Sequence, residues 1–388
     1  MKTSGHLRER GANSWEIKFE LPRPPGAPRR TQRQTVHGTR KDAQRALRAA
    51  LAQLDTGTWE PPSRLTLAVW LASWIVEAGG LSPKTRERYA GLIRWQITPH
   101  LGAIRLQQLR PVEIAGWHAL LLARGGAAGG RLAPRTVGHC HRVLRVALQR
   151  AVELEVLPRN VAAAIHPPSV PERELAILDR EAMTALLSRL ASDERARRIY
   201  PIAALAVASG LRRGELLALA WRHIEIAAGI VTVERSLEET AGRTLRFKPP
   251  KTAKGRRKLT IPRHTVEILL QHRRWVNEWR LVMGEGGAGP DDLLFAAPDG
   301  TPPSPDNLSR DWRRLLRALG LPPIGFHALR HTHASLLIHA GLDVMAISRR
   351  LGHANAAFTL RAYGHLFAPG DAAAAAAVDR ALGFREFS

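Results

Sequence analysis

The sequence predicts a multidomain, mainly α chain with small β-sheets. A small sheet-plus-helix module comes first, then a helical domain, then a mixed α+β domain. Three observations carry this. Two proline-rich junctions, Thr58-Trp-Glu-Pro-Pro-Ser63 and His166-Pro-Pro-Ser-Val-Pro-Glu172, read as linkers, because proline fixes φ and removes donors that a helix or central strand needs. Between them the apolar residues keep a helical period, and strand-like alternation is confined to the flanks. The boundaries expected from these breaks are 1–60, 64–165 and 172–388.

At 388 residues and 45% apolar content, the chain can build several cores and is not wholesale disordered. Its 58 Lys and Arg against 34 Asp and Glu give a net charge of +24, which points to a polyanion partner, nucleic acid first. The one cysteine, Cys140, excludes an internal disulfide framework and a four-thiolate metal site, and fits a reducing cytoplasm. The N-terminal stretch lacks an apolar signal core, and no apolar run approaches the roughly 18 residues that span a bilayer. A cytoplasmic protein without a membrane partner is expected. Eight of the basic residues are lysine, at positions 2, 18, 41, 84, 248, 251, 254 and 258, so half of them cluster in one eleven-residue stretch.

In the first module, Ser14-Trp-Glu-Ile-Lys-Phe-Glu-Leu21 alternates as a strand, and the basic Arg29–Val36 segment is its expected partner. Thr39 caps a helix running to about Leu54. Arg30, Arg33 and Lys41 are this module's candidate DNA contacts. The middle domain is expected to hold about four amphipathic helices: Leu65–Glu77, one starting at Ser82 with Pro83 in its first turn, Glu113–Arg124 and Ala133–Leu154. Lys84, Arg86, Arg88, Arg135 and Arg142 form its candidate phosphate-binding face. The third region opens with helices, alternates as strands at Gly229–Arg235, Thr244–Phe247 and Lys258–Ile261, and returns to helices, with an alanine-rich one near its end.

Four segments of this third region carry chemistry. In Ala208-Ser-Gly-Leu-Arg-Arg-Gly-Glu-Leu216 a glycine turn feeds a helix with Arg212 and Glu215 at i, i+3, which is either a surface ion pair or an arginine gripping phosphate at a helix start. The basic turn Lys248–Lys258 is either a solvated hairpin tip or the source of a general acid, since lysine can release a proton where arginine cannot. Phe326-His-Ala-Leu-Arg-His-Thr-His333 places His327 and Arg330 one helical turn apart. A metal reading of these histidines meets no acidic or thiolate partner nearby, and an arginine in their midst would repel a cation. Asp343–Gly352 reads as a capped and terminated helix, followed by His353 and, ten residues on, Tyr363. Two arginines, a lysine, two histidines and a tyrosine describe a metal-free and cofactor-free phosphate site with an oxygen nucleophile.

In this order, A-S-G-L-R-R-G-E-L, P-K-T-x-x-G-x-R-x-L-x-I-P, H-A-L-R-H-T, L-G-H and T-L-R-A-Y-G-H resemble the motifs of the tyrosine recombinase (phage-type integrase) family, over roughly residues 209 to 366. The resemblance implies an arm-type DNA-binding module, a helical core-binding (SAM-like) domain and a catalytic domain with a C-terminal tail helix. It implies that Arg212 and Arg330 clamp the scissile phosphate, that Lys251 protonates the 5′-oxygen with Lys254 its rival, and that His327 transfers protons. His353 would hydrogen-bond the phosphate, Tyr363 would attack it, and Glu215 would hold the first arginine's turn. Ser209 stands where the family more often has threonine.

The implied activity is site-specific integration or excision of a phage or other mobile element through a 3′-phosphotyrosyl intermediate. Its partners would be double-stranded attachment sites, a tetramer of the chain on DNA and an accessory bending or directionality factor, in a bacterial cytoplasm at the nucleoid. A type IB topoisomerase-like or dimer-resolving (Xer-like) activity is the enzymatic alternative, and a non-catalytic DNA-binding regulator the other.

Overall fold

The computed structural model describes residues 5–22, 28–56, 63–126, 129–171, 176–250, 255–367 and 371–382. Of the first proline-rich junction only Ser63 is among them, and Lys251 and Lys254 lie outside them. The chain divides into two compact units, Met1–Pro171 and Glu172–Ser388. The break falls inside the second proline-rich junction.

The first unit holds two separate cores. Strands β1 (Gly5–Gly11), β2 (Ser14–Glu20) and β3 (Thr31–His37) form an antiparallel meander in that order. Helix α1 (Arg40–Asp55) starts at a capping box, in which the Thr39 hydroxyl accepts from the Asp42 amide and the Asp42 carboxylate accepts from that of Thr39. Because strand side chains alternate, Ile17 and Phe19 are buried with Ala43, Ala50 and Leu54 of α1. Lys18, cross-strand from both His6 and Arg33, therefore takes the opposite face. Arg30, Arg33 and Lys41 are all exposed. The sequence reading missed β1, whose Gly-His-Leu-Arg-Glu-Arg-Gly has no apolar alternation to announce it.

The second core is helical: α2 (Leu67–Glu77), α3 (Pro83–Leu92), a π-turn at Ile93–Ile97 leading into α4 (Thr98–Leu101), α5 (Pro111–Arg124) and α6 (Pro134–Glu153). Pro99 has no N–H to continue the α-helical ladder, and the π-turn ends two residues before it. Trp70 and Trp117 fill this core while their indole N–H groups donate to the carbonyls of Ala147 (3.0 Å) and Gln96 (2.8 Å).

The second unit begins with α7 (Arg180–Ala191) and α8 (Tyr200–Ser209). The alanine-rich α8 is almost wholly buried, which lets two further helices, Arg263–Val282 and Ala328–His339, pack against it. The short α9 (Arg213–Leu216) is followed by β4 (Ile224–Glu225), β5 (Ile230–Val233), β6 (Ser236–Thr240), β7 (Thr244–Lys248) and β8 (Arg257–Thr260). Then come α10 (Arg263–Val282), α11 (Pro305–Ala318), α12 (Ala328–His339), α13 (Val344–Leu351), α14 (Ala356–Tyr363) and α15 (Asp371–Leu382). One sequence expectation is corrected here. The strands flanking the lysine-rich turn do not pair with each other, so the turn is no simple hairpin tip. Instead β7 pairs with β6, and β8 completes a separate sheet of order β4-β5-β8.

Trp312 of α11 is fully buried, donates to the Ile324 carbonyl (2.9 Å) and meets Phe326 edge-on at 5.5 Å. Trp312→Ala is expected to destabilise the protein by about 3–5 kcal/mol in denaturant unfolding. Phe358→Ala, at a site 65% exposed, is expected to change stability by less than about 0.5 kcal/mol.

Candidate active site

The site is built where two left-handed glycines end helices. Gly210 ends α8 at φ 65° and Gly352 ends α13 at φ 66°, conformations that side chains with a Cβ rarely adopt. Space forbids a Cβ as well: at Gly210 it would lie 2.4 Å from the His333 ring, and at Gly352 2.8 Å from the Arg257 guanidinium. The carbonyls left at these helix ends serve as acceptors. Arg212 Nη2 donates to Gly352 O (3.1 Å), while Arg330 donates through Nη1 to Gly210 O (2.6 Å) and through Nη2 to Leu351 O (2.9 Å). Both arginines are thus aimed by backbone.

Glu215 ties the cluster together. Its side chain is 3% exposed, and its oxygens accept from the Arg212 amide (3.0 Å), Arg212 Nη1 (2.8 Å) and Arg257 Nη2 (2.9 Å). Burial pushes its carboxyl up, but Arg257 and Arg212 outweigh that and hold it below the usual carboxylate range. Arg257 also donates to the carbonyls of Arg350 (2.7 Å) and Gly255 (3.1 Å), pinning β8 to α13. Burial, with Arg212's charge, brings Arg330 down to about 9, which still leaves it a cation at neutral pH.

Arg330 also fixes the state of His353. A guanidinium has only donors, so the 2.8 Å contact from Arg330 Nη2 requires His353 Nε2 to accept. The ring's proton then sits on Nδ1, which faces Thr359 Oγ1 at 2.9 Å. Burial and the charges of Arg330, Arg212 and Arg257 hold this imidazole at about 4. His333 is likewise spoken for, since Nδ1 donates to Val207 O (2.6 Å) and Nε2 accepts from Arg350 (3.1 Å). His327, the N-cap of α12, is exposed but packs its ring edge-on against His331 at 4.8 Å. Partial burial first, then nearby positive charge, holds His327 below the ordinary imidazole range.

Tyr363 lies in a small core with Ala334, Ile338, Ile347 and Leu351 and is 1% exposed. Only its hydroxyl does more than pack, lying 2.7 Å from His331 Nδ1. Burial pushes the phenol up, and Arg330 opposes that only in part.

The structure therefore brings together Arg212, Glu215, Arg330, His353 and Tyr363, with His327 one ring beyond. The sequence reading had left Arg257 and His331 without roles. Arg257 was legible in principle, because period-two alternation in β8 puts a charge on the side of Leu259 and Ile261, the buried side. Nothing in the spacing marks His331. A cleft of about 730 Å³, lined by Trp275, Trp279, Leu308 and Asp311 among others, contains none of the site residues.

In the first unit, Arg88, Arg135 and Arg142 surround His139, whose imidazole is lowered by burial and then by those three charges. Lys84 is exposed on the same helix, α3. Arg86 departs from the expected face. Its guanidinium donates to the carbonyls of Ile75, Val76 (2.8 Å) and Ala78 (2.8 Å), capping the C-terminus of α2.

The phage integrase family model matches residues 176–368, and the model for the family's N-terminal SAM-like domain matches 66–122. The chain belongs to the phage integrase family and is a tyrosine-type site-specific recombinase. Among similar proteins, the integrase of Mycobacterium phage L5 is 26% identical, over 82% of each chain. An integrase of Streptomyces ambofaciens is 28% identical over 84% of this chain and 82% of its own. A tyrosine recombinase XerC-like protein of Caldanaerobacter subterraneus is 24% identical over 84% and 86%. Of solved structures, the Tn1549 transposon integrase in complex with transposon right end DNA superposes with TM-score 0.65 at 20% identity, covering 82% of this chain and all of that one. A lambda integrase tetramer bound to a Holliday junction gives 0.52 at 21% identity, over 90% and 92%. At these identities the structural likeness shows the fold. Among the described residues, no helix is long and apolar enough to cross a membrane.

Two predictions follow from the site's electrostatics. Glu215→Gln strands the buried Arg257 charge and is expected to cost about 3–5 kcal/mol in denaturant unfolding. Glu215's contribution is present above the ordinary glutamate value of about 4.3 and lost as pH falls below it, so the variant should also show a flatter acid limb. Separately, His141, His272, His333 and His353 are each held at about 4. A lowered imidazole means the unfolded chain takes the proton first, so stability should be full above about pH 6.5 and fall as pH drops toward 4. Thermal melting across that range checks it.

Proposed function

We propose that the chain integrates or excises a phage or other mobile element by cutting and rejoining DNA through a 3′-phosphotyrosyl link at Tyr363. The observation that carries the reading is convergence. Residues at α9, α12, the α13–α14 junction and the end of α14 meet around Arg330, which lies 2.8 Å from His353, while the next residue along the chain bonds Tyr363 Oη. Among the described residues, Arg330 uses three of its five N–H donors and Arg212 two, leaving donors for a phosphate.

In this reading Arg212 and Arg330 stabilise the charge on the pentavalent phosphoryl group, and Glu215 and Arg257 hold them in place. His353 hydrogen-bonds the same phosphate through Nε2, for which Arg330 turns from that nitrogen to the phosphate and the ring proton moves from Nδ1 to Nε2. His327 takes part in proton transfer. Lys251 or Lys254 protonates the departing 5′-oxygen, the role arginine cannot fill. Because the phosphotyrosyl link conserves the energy of the broken bond, a 5′-hydroxyl of another strand can reverse the attack and rejoin the DNA with neither ATP nor a cofactor.

The domain division proposed is 1–60 for arm-type sites, 64–165 for core sites and 172–388 for catalysis. The exposed Arg30, Arg33 and Lys41 serve the first. The Arg88, Arg135 and Arg142 cluster, with Lys84, serves the second. The lambda integrase tetramer on a Holliday junction supports a tetramer on DNA here, and the family resemblance adds α15 docking on a neighbouring copy. An accessory bending or directionality factor and a nucleoid location belong to the same proposal.

With a nicked duplex that traps the cleaved state, the wild-type protein is expected to give a DNA adduct surviving SDS, and Tyr363→Phe none. Arg212→Ala and Arg330→Ala should each slow adduct formation by roughly 10²-fold or more. Absence of a wild-type adduct, or an adduct with Tyr363→Phe, would contradict the reading.

A further inference from the structure

We infer that His331 is the catalytic base that takes the phenolic proton from Tyr363. The inference rests on the phosphotyrosyl reading above and deepens it by assigning a proton acceptor to the nucleophile. Its ground is geometric. His331 Nδ1 lies 2.7 Å from Tyr363 Oη, and the two rings are 5.8 Å apart and tilted at 56°. With its own proton on Nε2, the neutral ring offers Nδ1 as an acceptor to the phenol O–H.

The site's other candidate proton acceptors are committed elsewhere. His353 accepts from Arg330 through Nε2 and faces Thr359 through Nδ1, so neither nitrogen is open to the phenol. The Glu215 carboxylate is held by Arg212 and Arg257. His327, named from the motif for proton transfer, touches the edge of His331 and stands second in line. The groups facing His331 are Arg330 and His327 from its own helix region, His353 from the α13–α14 junction and Tyr363 from α14. Burial, and then the Arg330 cation, disfavour a resident proton on His331, which keeps the lone pair available.

In the cleavage step the Oη–H bond breaks and its proton passes to His331 Nδ1. The Oη–phosphorus bond forms, the phosphorus–O5′ bond breaks, and the leaving oxygen receives a proton from the lysine acid. Rejoining reverses each transfer. A 5′-hydroxyl attacks phosphorus, losing its proton to the lysine, and the imidazolium of His331 returns a proton to the departing phenolate.

The test measures single-turnover adduct formation on the nicked duplex for wild type, His331→Ala and His331→Gln from pH 6 to 9.5. The glutamine keeps a hydrogen-bonding side chain but cannot take up a proton. Both variants are expected to bind DNA as wild type does and to form adduct about 10²–10³-fold more slowly at pH 7. Their rates should climb with pH as phenolate forms, narrowing the gap to wild type. Added imidazole should partly restore His331→Ala. A substrate with sulfur at the bridging 5′ position, whose thiolate leaves unprotonated, should not rescue either variant, because the defect lies at the nucleophile. Wild-type rates in His331→Gln, a loss equal at every pH, or rescue by the 5′-sulfur substrate would overturn the assignment. Failure of the phosphotyrosyl reading itself looks different: wild type would give no SDS-stable adduct on any substrate.

Discussion

A buried carboxylate holding two guanidinium groups is the constraint on which the catalytic unit depends. Removing Glu215 from water is costly, and only the paired charges of Arg212 and Arg257 make it tolerable. Once paired, it couples three separate pieces of chain. Arg212 belongs to the turn after α8, Arg257 to β8, and both donate to carbonyls at the end of α13. The ends of α8 and α13 in turn present the carbonyls that aim Arg330. The positive cluster is therefore assembled before any phosphate arrives, which is the condition for electrostatic stabilisation without reorganisation at the moment of reaction.

The same cluster sets the protonation of its histidines. Surrounded by arginines and partly buried, His327, His331 and His353 are all pushed toward the neutral form. A neutral imidazole can accept, and the structure gives each a different neighbour: Arg330 for His353, the phenol for His331, the His331 ring for His327. Tyr363 itself resolves into two parts. Its ring is core packing, and its hydroxyl is the one polar group that this small core turns toward the arginines.

Much of this was legible in the sequence, for identifiable reasons. Capping residues placed the starts of α1, α3 and α13, and Gly352 placed the end of α13. The ordered motifs picked out Arg212, Glu215, Arg330, His353 and Tyr363. What escaped depends on which way a side chain points. His331 follows Arg330 directly, and adjacent helix positions point about 100° apart, so one motif serves two neighbours in different directions. Arg86 sat on an apparently basic face but is consumed by α2's terminal carbonyls. Strand β1 had no apolar alternation, and the pairing of β8 with β5 rather than β7 is a long-range choice that local pattern does not encode.

The central claim, that this cluster serves one tyrosine as nucleophile, is tested most directly by mapping the protein–DNA bond. The SDS-stable adduct from the nicked duplex would be digested with nuclease and protease, and the modified peptide sequenced by mass spectrometry. The account predicts a nucleotide joined through its 3′-phosphate to Tyr363, with a free 5′-hydroxyl on the other DNA end. Attachment through a 5′-phosphate, or to any residue other than Tyr363, would contradict it.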